Sequence, residues 1–373
     1  MKLAIAKEKR PNESRVAATP ETVKKLRGLG VDVVVETGAG AGAHIADDAF
    51  AAAGATIAPQ VLQSADVIFK VQRPLDDELA QMKRGAMLVA ILAPYGDTAG
   101  VAKYAAAGVN AFAMEFMPRI TRAQSMDVLS SQSNLAGYKA VIEAAALFDR
   151  AFPQMMTAAG TIAPARVFVM GAGVAGLQAI ATARRLGARV SGTDVRLAAK
   201  EQVMSLGASF VMVEDEETKS AQTAGGYAKE MSDAYKKKQE ALISETIAKQ
   251  DIVITTALIP GRPAPKLITE AQVRSMKPGS IIIDMAAEQG GNCALTKPGE
   301  TVTVNGVKIV GALNLAGAVP VDASSLYAKN LLNFITPLID KETKSLKIDW
   351  EDEIIKGTAL TRDGQVIHPA LKA

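Results

Sequence analysis

The chain has 373 residues, of which 49% are hydrophobic and 22% charged, a composition typical of a folded globular protein. A net charge of only +3 and an aromatic content of 4% argue against a dedicated nucleic-acid surface or a base-stacking platform. One cysteine and two histidines exclude a disulfide framework and argue against a His-rich metal site or a Ser-His-Asp triad, so we expect no bound metal.

Targeting and membrane signals are absent from the sequence. The apolar run that follows Lys2 is only four residues long, whereas a secretory signal needs about 7–15. No uncharged run is longer than 167–183, which is shorter than the ~20 residues of a spanning helix and is interrupted by three glycines. We therefore expect a cytoplasmic chain that does not insert directly into a membrane.

Short apolar runs alternate with longer alanine-rich segments, an alternation typical of βαβ units. The runs are rich in Val, Ile and Ala, as in strands that are covered on both faces. Strands are predicted at 2–7, 32–37, 66–72, 86–92, 110–116, 166–170, 189–194, 209–213, 251–256, 280–285 and 308–312. Eleven strands are too many for one sheet of typical size. The predicted fold class is therefore α/β, with two doubly wound parallel sheets.

Two helices set the predicted domain boundaries. A long helix or broken pair over 125–152 separates the two sets of strands, and a second helix covers 322–332. A chain that leaves a domain by one long helix can return by another, so we predict one domain from 1–128 with 320–373 and a second from 129–319. A weak internal repeat supports similar topologies, because the pattern that begins at Asp66 returns at Asp251.

The most specific motif is the glycine pattern Gly171, Gly173 and Gly176 between a predicted strand and a predicted helix. These spacings suit a tight turn, a close approach to a pyrophosphate and helix–strand packing. Asp194 follows 18 residues after Gly176, close to the ~20 expected for a carboxylate that binds ribose hydroxyls. The pattern predicts NAD(H) rather than NADP(H), although Arg196 is the residue type that accommodates a 2′-phosphate.

A polar run at 118–130 covers the end of a predicted strand and the start of the long helix. Helix capping by Ser125 or Asp127 is one interpretation, since both residue types favour N-caps. Capping leaves Arg119 and Gln124 unexplained, whereas a pocket for a nicotinamide carboxamide uses both donors and acceptors. The sequence leaves both interpretations open.

The segment 214–240 is charged and contains a Gly225–Gly226 pair followed by Tyr227. One interpretation is a solvated loop and surface helix. The other is a lid with the glycines as its hinge and Tyr227 at its tip.

Taken together, these motifs resemble the NAD(H)-binding soluble subunit (domain I, alpha-1) of proton-translocating NAD(P) transhydrogenase, a family related to alanine dehydrogenase. The resemblance covers essentially the whole chain. It is carried by the stretches 70–74, 119–138, 171–176, 193–196, 223–229, 255–261 and 290–293.

The resemblance implies a homodimer of chains with two Rossmann-like domains and NAD(H) in the cleft between them. The implied enzyme is the Re/Si-specific NAD(P)⁺ transhydrogenase. Hydride passes directly from NADH here to NADP⁺ on a separate NADP(H)-binding subunit, and a membrane-spanning subunit couples the transfer to proton translocation. The chain would then lie on the cytoplasmic face of the inner membrane through its partners.

The resemblance also implies roles for residues. Arg119, Gln124 and Asp127 orient the nicotinamide and are the nearest to catalytic residues, because direct hydride transfer needs no protein acid or base. Ser130 also meets the nicotinamide, and Asp194 holds the adenosine ribose. The remaining implied nucleotide contacts are Gly171, Gly173, Val174, Ala175, Gly176, Val195, Arg196, Gly226, Tyr227, Thr256, Ala257 and Leu258.

Two alternatives remain. Arg15 and Lys70 match positions that bind substrate in alanine dehydrogenase, but that family's catalytic histidine should follow the strand at 86–92, and Ala93 and Pro94 stand there instead. An NAD-binding sensor without chemistry would keep the glycine motif and Asp194 but would not need the polar run at 118–130.

Overall fold

The computed structural model describes residues 1–214, 232–259 and 261–371. The predicted lid residues Gly225, Gly226 and Tyr227 lie outside these ranges. The chain divides into two compact units. The first unit comprises Met1–Gln132 with Ala316–Ala373, and the second unit comprises Ser133–Leu315.

The regular elements follow one another in βα alternation through both units. The strands are β1 Lys2–Ile5, β2 Asp32–Glu36, β3 Thr56–Ala58, β4 Val67–Gln72, β5 Met87–Ile91, β6 Asn110–Ala113, β7 Met155–Thr157, β8 Gly160–Ile162, β9 Arg166–Met170, β10 Arg189–Thr193, β11 Ser209–Phe210, β12 Ile252–Thr255, β13 Ile281–Asp284, β14 Thr301–Val304, β15 Val307–Gly311, β16 Thr361–Arg362 and β17 Gln365–Val366. The helices are α1 Pro20–Gly28, α2 Asp47–Ala52, α3 Asp76–Leu79, α4 Thr98–Ala106, α5 Val128–Leu147, α6 Val174–Arg185, α7 Ala199–Ser205, α8 Asp233–Ile247, α9 Glu270–Ser275, α10 Pro320–Ile335 and α11 Glu353–Thr358.

Each unit is built on a doubly wound sheet. The first unit has six parallel strands in the order β3-β2-β1-β4-β5-β6. The second unit has the order β11-β10-β9-β12-β13-β15-β14, and of these described strands only β14 is antiparallel. This is the Rossmann strand order, which reverses next to the first strand and places loops at the carboxyl ends of the strands for ligand binding. The predicted α/β fold class is confirmed.

Both sheets are covered on both faces, which explains their nearly continuous apolar strands. In β1, Leu3 and Ile5 belong to one hydrophobic cluster and Ala4 to the cluster on the opposite face. In β9, Val167 and Phe168 divide in the same way between two clusters. Helices supply the other side of each cluster, and α10 adds Tyr327, Leu331, Phe334 and Ile335 to the core of the first unit.

The internal repeat has a structural meaning. The Asp66 carboxylate accepts a hydrogen bond from the Lys2 N–H at 2.7 Å, and the Asp251 carboxylate accepts one from the Arg166 N–H at 2.8 Å. Each aspartate therefore fixes the start of the first strand of its own sheet. The glycines that precede β5 and β13 also correspond, since each donates its N–H to the glycine carbonyl of the next turn at 2.8 Å.

Several predicted boundaries move for local reasons. The predicted helix at 125–152 is a 3₁₀ turn over Thr121–Met126 followed by α5. Lys308 donates to the Leu147 carbonyl at 2.9 Å, the end at which a cation stabilises a helix. The strand predicted at 110–116 ends at Ala113, where a 3₁₀ turn begins. The short strands β3, β7, β8, β14, β16 and β17 were not predicted, because they lack the apolar runs of buried strands.

The described part of the chain contains no helix with the length and apolar composition that crossing a bilayer requires.

Candidate nucleotide-binding site

The glycine loop between β9 and α6 admits no side chain at two of its glycines. Gly171 has φ +106°, a conformation that other residues rarely adopt. A Cβ on Gly176 would lie 1.8 Å from the Gly171 carbonyl oxygen, so the helix packs directly on the turn. The fold itself therefore requires glycine at these two positions.

Gly173 is different because the protein does not require a glycine there. A Cβ on Gly173 would meet no atom of the described residues within 4 Å, and its φ of −76° suits any residue. Gly173 is also the N-cap of α6, and no described side chain caps that end. An uncapped helix N-terminus beside open space fits a phosphate group, which its N–H groups and the helix dipole attract. The loop therefore fits the pyrophosphate of a dinucleotide.

Two further contacts hold the loop from behind. A Cβ on Gly137 in α5 would lie 2.1 Å from the carbonyl oxygen of Ala175, so the backbones of α5 and α6 touch there. The Thr256 hydroxyl donates to the Gly171 carbonyl at 3.1 Å. Sequence reasoning missed Gly137, although a glycine inside a helix costs roughly 1 kcal/mol against alanine and so signals a packing constraint.

Asp194 stands directly after β10, next to the glycine loop. Its Oδ2 accepts from the Ala172 N–H at 2.7 Å, and the Arg196 backbone and guanidinium donate to the same carboxylate at 2.8–3.0 Å. Burial favours the protonated form, but these hydrogen bonds outweigh it and hold the pKa of Asp194 below its usual range. The four acceptor positions of the carboxylate are filled. The half-exposed Arg196 side chain is the donor that ribose hydroxyls can displace.

Exposed apolar side chains lie in the segments that follow the glycine loop, Asp194 and β12. Val174, Val195, Leu258 and Ile259 are large hydrophobic residues that remain exposed, Val195 at 85%. Exposed apolar side chains grouped around a polar site are typical of a ligand surface. Three of these four were predicted contacts, and Ile259 is an addition.

The predicted nicotinamide-side residues belong to the first unit. The 3₁₀ turn Thr121–Met126 buries Ala123 and Met126 in the hydrophobic core and leaves Arg119 and Gln124 exposed. Among the residues that the structure describes, neither of these two side chains makes a hydrogen bond or an ion pair. The buried residues anchor the turn and leave both polar side chains available.

Helix α5 begins immediately after this turn. Asp127 accepts the Ser130 N–H at 2.9 Å and the Ser130 hydroxyl at 2.5 Å, which caps the helix. Asn330 and Asn333 of α10 donate to the Ser125 carbonyl at 2.8 and 3.1 Å. Capping thus accounts for Asp127, but it does not account for Arg119 or Gln124. The two asparagines were not predicted, and no local pattern marks them.

The structure therefore brings together one group of the predicted residues in the second unit. This group comprises Gly171, Gly173, Val174, Ala175, Gly176, Asp194, Val195, Arg196, Thr256, Ala257 and Leu258. Arg119, Gln124, Asp127 and Ser130 form a second group in the first unit. Gly226 and Tyr227 lie outside the described residues.

The carboxyl edge of the first sheet has a different chemistry. Arg15 is nine-tenths buried or more, and its guanidinium binds Glu13 at 2.6–2.7 Å and Gln132 at 2.8 Å. Lys70 is equally buried between Glu78 at 3.1 Å and Glu8 at 3.6 Å. Burial raises the pKa of Glu8 to about 7 despite the attraction of Lys70. Both cations are engaged by internal carboxylates.

No described hydrogen bond joins either histidine to a residue of the two groups. The His368 ring accepts the Ala370 N–H at Nδ1, which leaves Nε2 to donate to the Gly357 carbonyl at 3.1 Å. Burial lowers the pKa of His368. His44 follows a 3₁₀ turn with φ +57°. Cys293 is buried, as expected for a small apolar residue.

Comparison with known proteins identifies the family of the chain. The family model "Alanine dehydrogenase/PNT, N-terminal domain" matches residues 4–136, and "Alanine dehydrogenase/PNT, C-terminal domain" matches residues 140–369. The first part of NAD(P) transhydrogenase subunit alpha from Rhodospirillum rubrum is 60% identical, with 100% of this chain and 99% of that protein covered. The chain belongs to the alanine dehydrogenase/PNT family, among its transhydrogenase alpha subunits.

Solved structures place the fold in the same family. The structure of transhydrogenase from Sinorhizobium meliloti is 55% identical and gives a TM-score of 0.91 over 98% of this chain and 100% of that one. A structure of L-alanine dehydrogenase is 26% identical and gives 0.83 over 100% of this chain and 98% of that one. The resemblance recognised in the sequence is therefore confirmed, and the family is one of NAD-dependent oxidoreductases.

Proposed function

We propose that this chain is the NAD(H)-binding component of a proton-translocating transhydrogenase. It binds NADH, from which hydride passes directly to NADP⁺ held by a partner subunit. A membrane-spanning subunit couples that transfer to proton movement. The observation that carries the proposal is Gly173, whose open space at an uncapped helix N-terminus serves no purpose in the packing of the described residues.

The second unit holds the nucleotide in this proposal. The N–H groups at the start of α6 bind the pyrophosphate, and the Asp194 carboxylate accepts hydrogen bonds from the adenosine ribose. Val174, Val195 and Leu258 provide apolar contacts, and Thr256 and Ala257 line the end of β12. Gly226 and Tyr227 are assigned to the nucleotide from the family resemblance. The dinucleotide itself supplies the hydride chemistry when it is bound.

The first unit orients the nicotinamide. The Arg119 guanidinium and the Gln124 amide, both without a partner among the described residues, are the donors and acceptors that a carboxamide needs. Asp127 and Ser130 stand at the adjoining helix start. No residue is asked to act as a general acid or base. Orientation alone is a large contribution, since well-placed reactants gain ~7–11 kcal/mol relative to free encounter.

The proposed assembly follows the alpha subunits of this family. Two copies form a homodimer, which binds an NADP(H)-binding subunit and a membrane-spanning subunit. These partners hold the chain at the cytoplasmic face of the inner membrane. NADP(H) belongs to the partner subunit, and the chain binds no metal, no nucleic acid and no lipid bilayer directly.

Alanine dehydrogenase is the alternative function, favoured by the L-alanine dehydrogenase fold and by Arg15 and Lys70. Two observations count against it. Oxidative deamination requires a proton acceptor, and Ala93 and Pro94 stand where the catalytic histidine of alanine dehydrogenase should follow the strand. Glu13 and Gln132 also occupy the Arg15 guanidinium that would bind a substrate carboxylate.

The deciding experiment measures hydride transfer between two nucleotides. The purified chain is mixed with the NADP(H)-loaded partner domain, NADH and an oxidised NAD analogue whose reduction has its own absorbance. We expect rapid analogue reduction that requires both proteins. NADH oxidation by this chain alone with pyruvate and ammonia would establish the alternative.

The loop residues provide a matched pair for the same assay. Gln124→Ala removes an exposed amide that makes no contact with the described residues, so it should slow hydride transfer without lowering stability. Arg122→Ala, three positions away from Arg119, removes a surface ion pair with Asp352 and should leave the rate unchanged. Equal rates for both variants would contradict the assignment of Gln124.

A further inference from the structure

The Asn292 side chain is fully buried and makes three hydrogen bonds, which join two backbone segments. Its Oδ1 accepts the Ala257 N–H at 3.0 Å. Its Nδ2 donates to the carbonyls of Ala257 and Pro265, each at 2.8 Å. The amide thus pairs with Ala257 as a neighbouring strand would, at a point where β12 has already ended.

Asn292 is itself held in place by the core. The neighbouring Cys293 N–H donates to the buried Asp284 carboxylate at 2.9 Å, and the Thr296 hydroxyl donates to the same group at 2.5 Å. Gly291 has φ +78°, and a Cβ there would lie 2.7 Å from the Asp284 carboxylate. The turn that carries Asn292 therefore has one arrangement, fixed from within the second unit.

The segment held by Asn292 leads to the glycine loop. Ala257 follows Thr256, whose N–H donates to the Met170 carbonyl at 3.0 Å and whose hydroxyl donates to the Gly171 carbonyl at 3.1 Å. The next residue, Leu258, is 50% exposed. Asn292 consequently fixes a strip that is anchored on one side to the glycine loop and open to solvent on the other.

We propose that Asn292 is a positioning residue, which holds the strip Thr256–Leu258 preformed against the glycine loop so that a dinucleotide meets it without rearrangement. The inference rests on the proposed nucleotide-binding function. Preorganisation matters because a strip that had to be ordered on binding would spend part of the binding energy on that ordering. Loss of Asn292 should therefore weaken NADH binding rather than the chemical step.

The test compares Asn292→Ala and Asn292→Ser with Gln272→Ala. Gln272 is also a buried amide of the second unit. It accepts the Thr269 N–H at the start of α9 and donates to the Ser244 hydroxyl of α8. We expect the Asn292 variants to raise the Kd and the KM for NADH about tenfold, with kcat retained at saturating NADH. Gln272→Ala should lower the Tm and leave the KM unchanged.

The outcomes separate two failures. If the wild-type chain binds no NADH, the proposed function is wrong. If the wild type binds NADH and the Asn292 variants bind it equally well, only the role of Asn292 is wrong. Should both variants fail to fold, amide hydrogen exchange of the wild type decides, because a preformed strip requires the Ala257 N–H to be protected before NADH is added. An Ala257 amide that becomes protected only with NADH would overturn the inference.

Discussion

The two units share the order of their first five strands and differ at the carboxyl edges of their sheets. In the second unit the Asp194 carboxylate accepts the N–H of Ala172, two residues beyond β9. In the first unit the Glu36 carboxylate accepts the N–H of Lys7, two residues beyond β1, at 2.9 Å. The acidic residue and its backbone partner thus occur in both sheets at the same place.

The connection from the first strand to the first helix makes the difference. The second unit turns through glycines into α6, whose N-terminus has no side-chain cap among the described residues. The first unit turns through a charged segment into α1, where Thr19 caps the helix and Pro20 removes one N–H. The N-terminus of α6 therefore offers free N–H donors to an anion, whereas the N-terminus of α1 has fewer of them. The shared fold alone therefore does not distinguish the two units as nucleotide sites, and the difference lies in these connections.

Among the substitutions that test this difference, Gly173→Ala should have the largest effect on NADH binding. Its Cβ meets no atom of the described residues, so the Tm should change little, but it enters the space assigned to the pyrophosphate and should weaken NADH binding at least tenfold. Gly28→Ala at the end of α1 is the matched control, because a Cβ there also meets nothing within 4 Å. Isothermal titration with NADH checks both variants. Unchanged binding by Gly173→Ala would contradict a pyrophosphate site at the start of α6.

Asp194→Asn and Glu36→Gln test the corresponding acidic residues. A hydrogen bond to a charged group contributes about 1.5–3 kcal/mol, so Asp194→Asn should weaken NADH binding about tenfold or more. It should also improve NADPH binding, since the negative charge is lost and Arg196 is released. Glu36→Gln should change neither affinity. Equal losses in the two variants would mean that the sheets do not differ as argued.

The smallest effect concerns stability and pH in the first unit. The Glu115 carboxyl accepts the N–H groups of Leu92 and Ala93, and its Oε2 is buried without a partner among the described residues. Burial raises the pKa of Glu115 from 4.5 to about 7. Between these values the folded chain retains a proton that the unfolded chain loses, so this contribution to stability falls as pH rises from about 4.5 to 7.

Glu115→Gln removes that fall. The free energy of unfolding of the variant, minus that of the wild type, should be larger at pH 8 than at pH 5 by roughly 1–3 kcal/mol. Urea unfolding at the two pH values measures this difference. Glu8 adds a fall of the same sign in both proteins, so the comparison isolates Glu115. A pH-independent difference between variant and wild type would show that Glu115 titrates normally.

The sequence alone predicted the strands that are apolar throughout, because a strand covered on both faces is a continuous run of apolar residues. It also predicted the glycine loop and Asp194, which follow one another at short range in the chain. It did not predict Asn292, Gly137, Asn330 or Asn333. Asn292 and Ala257 are bonded across 35 positions, and only the folded sheet brings them together. Local sequence patterns identify candidate nucleotide contacts more readily than the residues that support those candidates.

Amide hydrogen exchange of the wild-type chain, with and without saturating NADH, tests the central claim most directly. We expect NADH to protect the amides of Val174 and Ala175, the first donors of α6. Tight NADH binding that leaves these amides unprotected and instead protects the segment between β1 and α1 would contradict it.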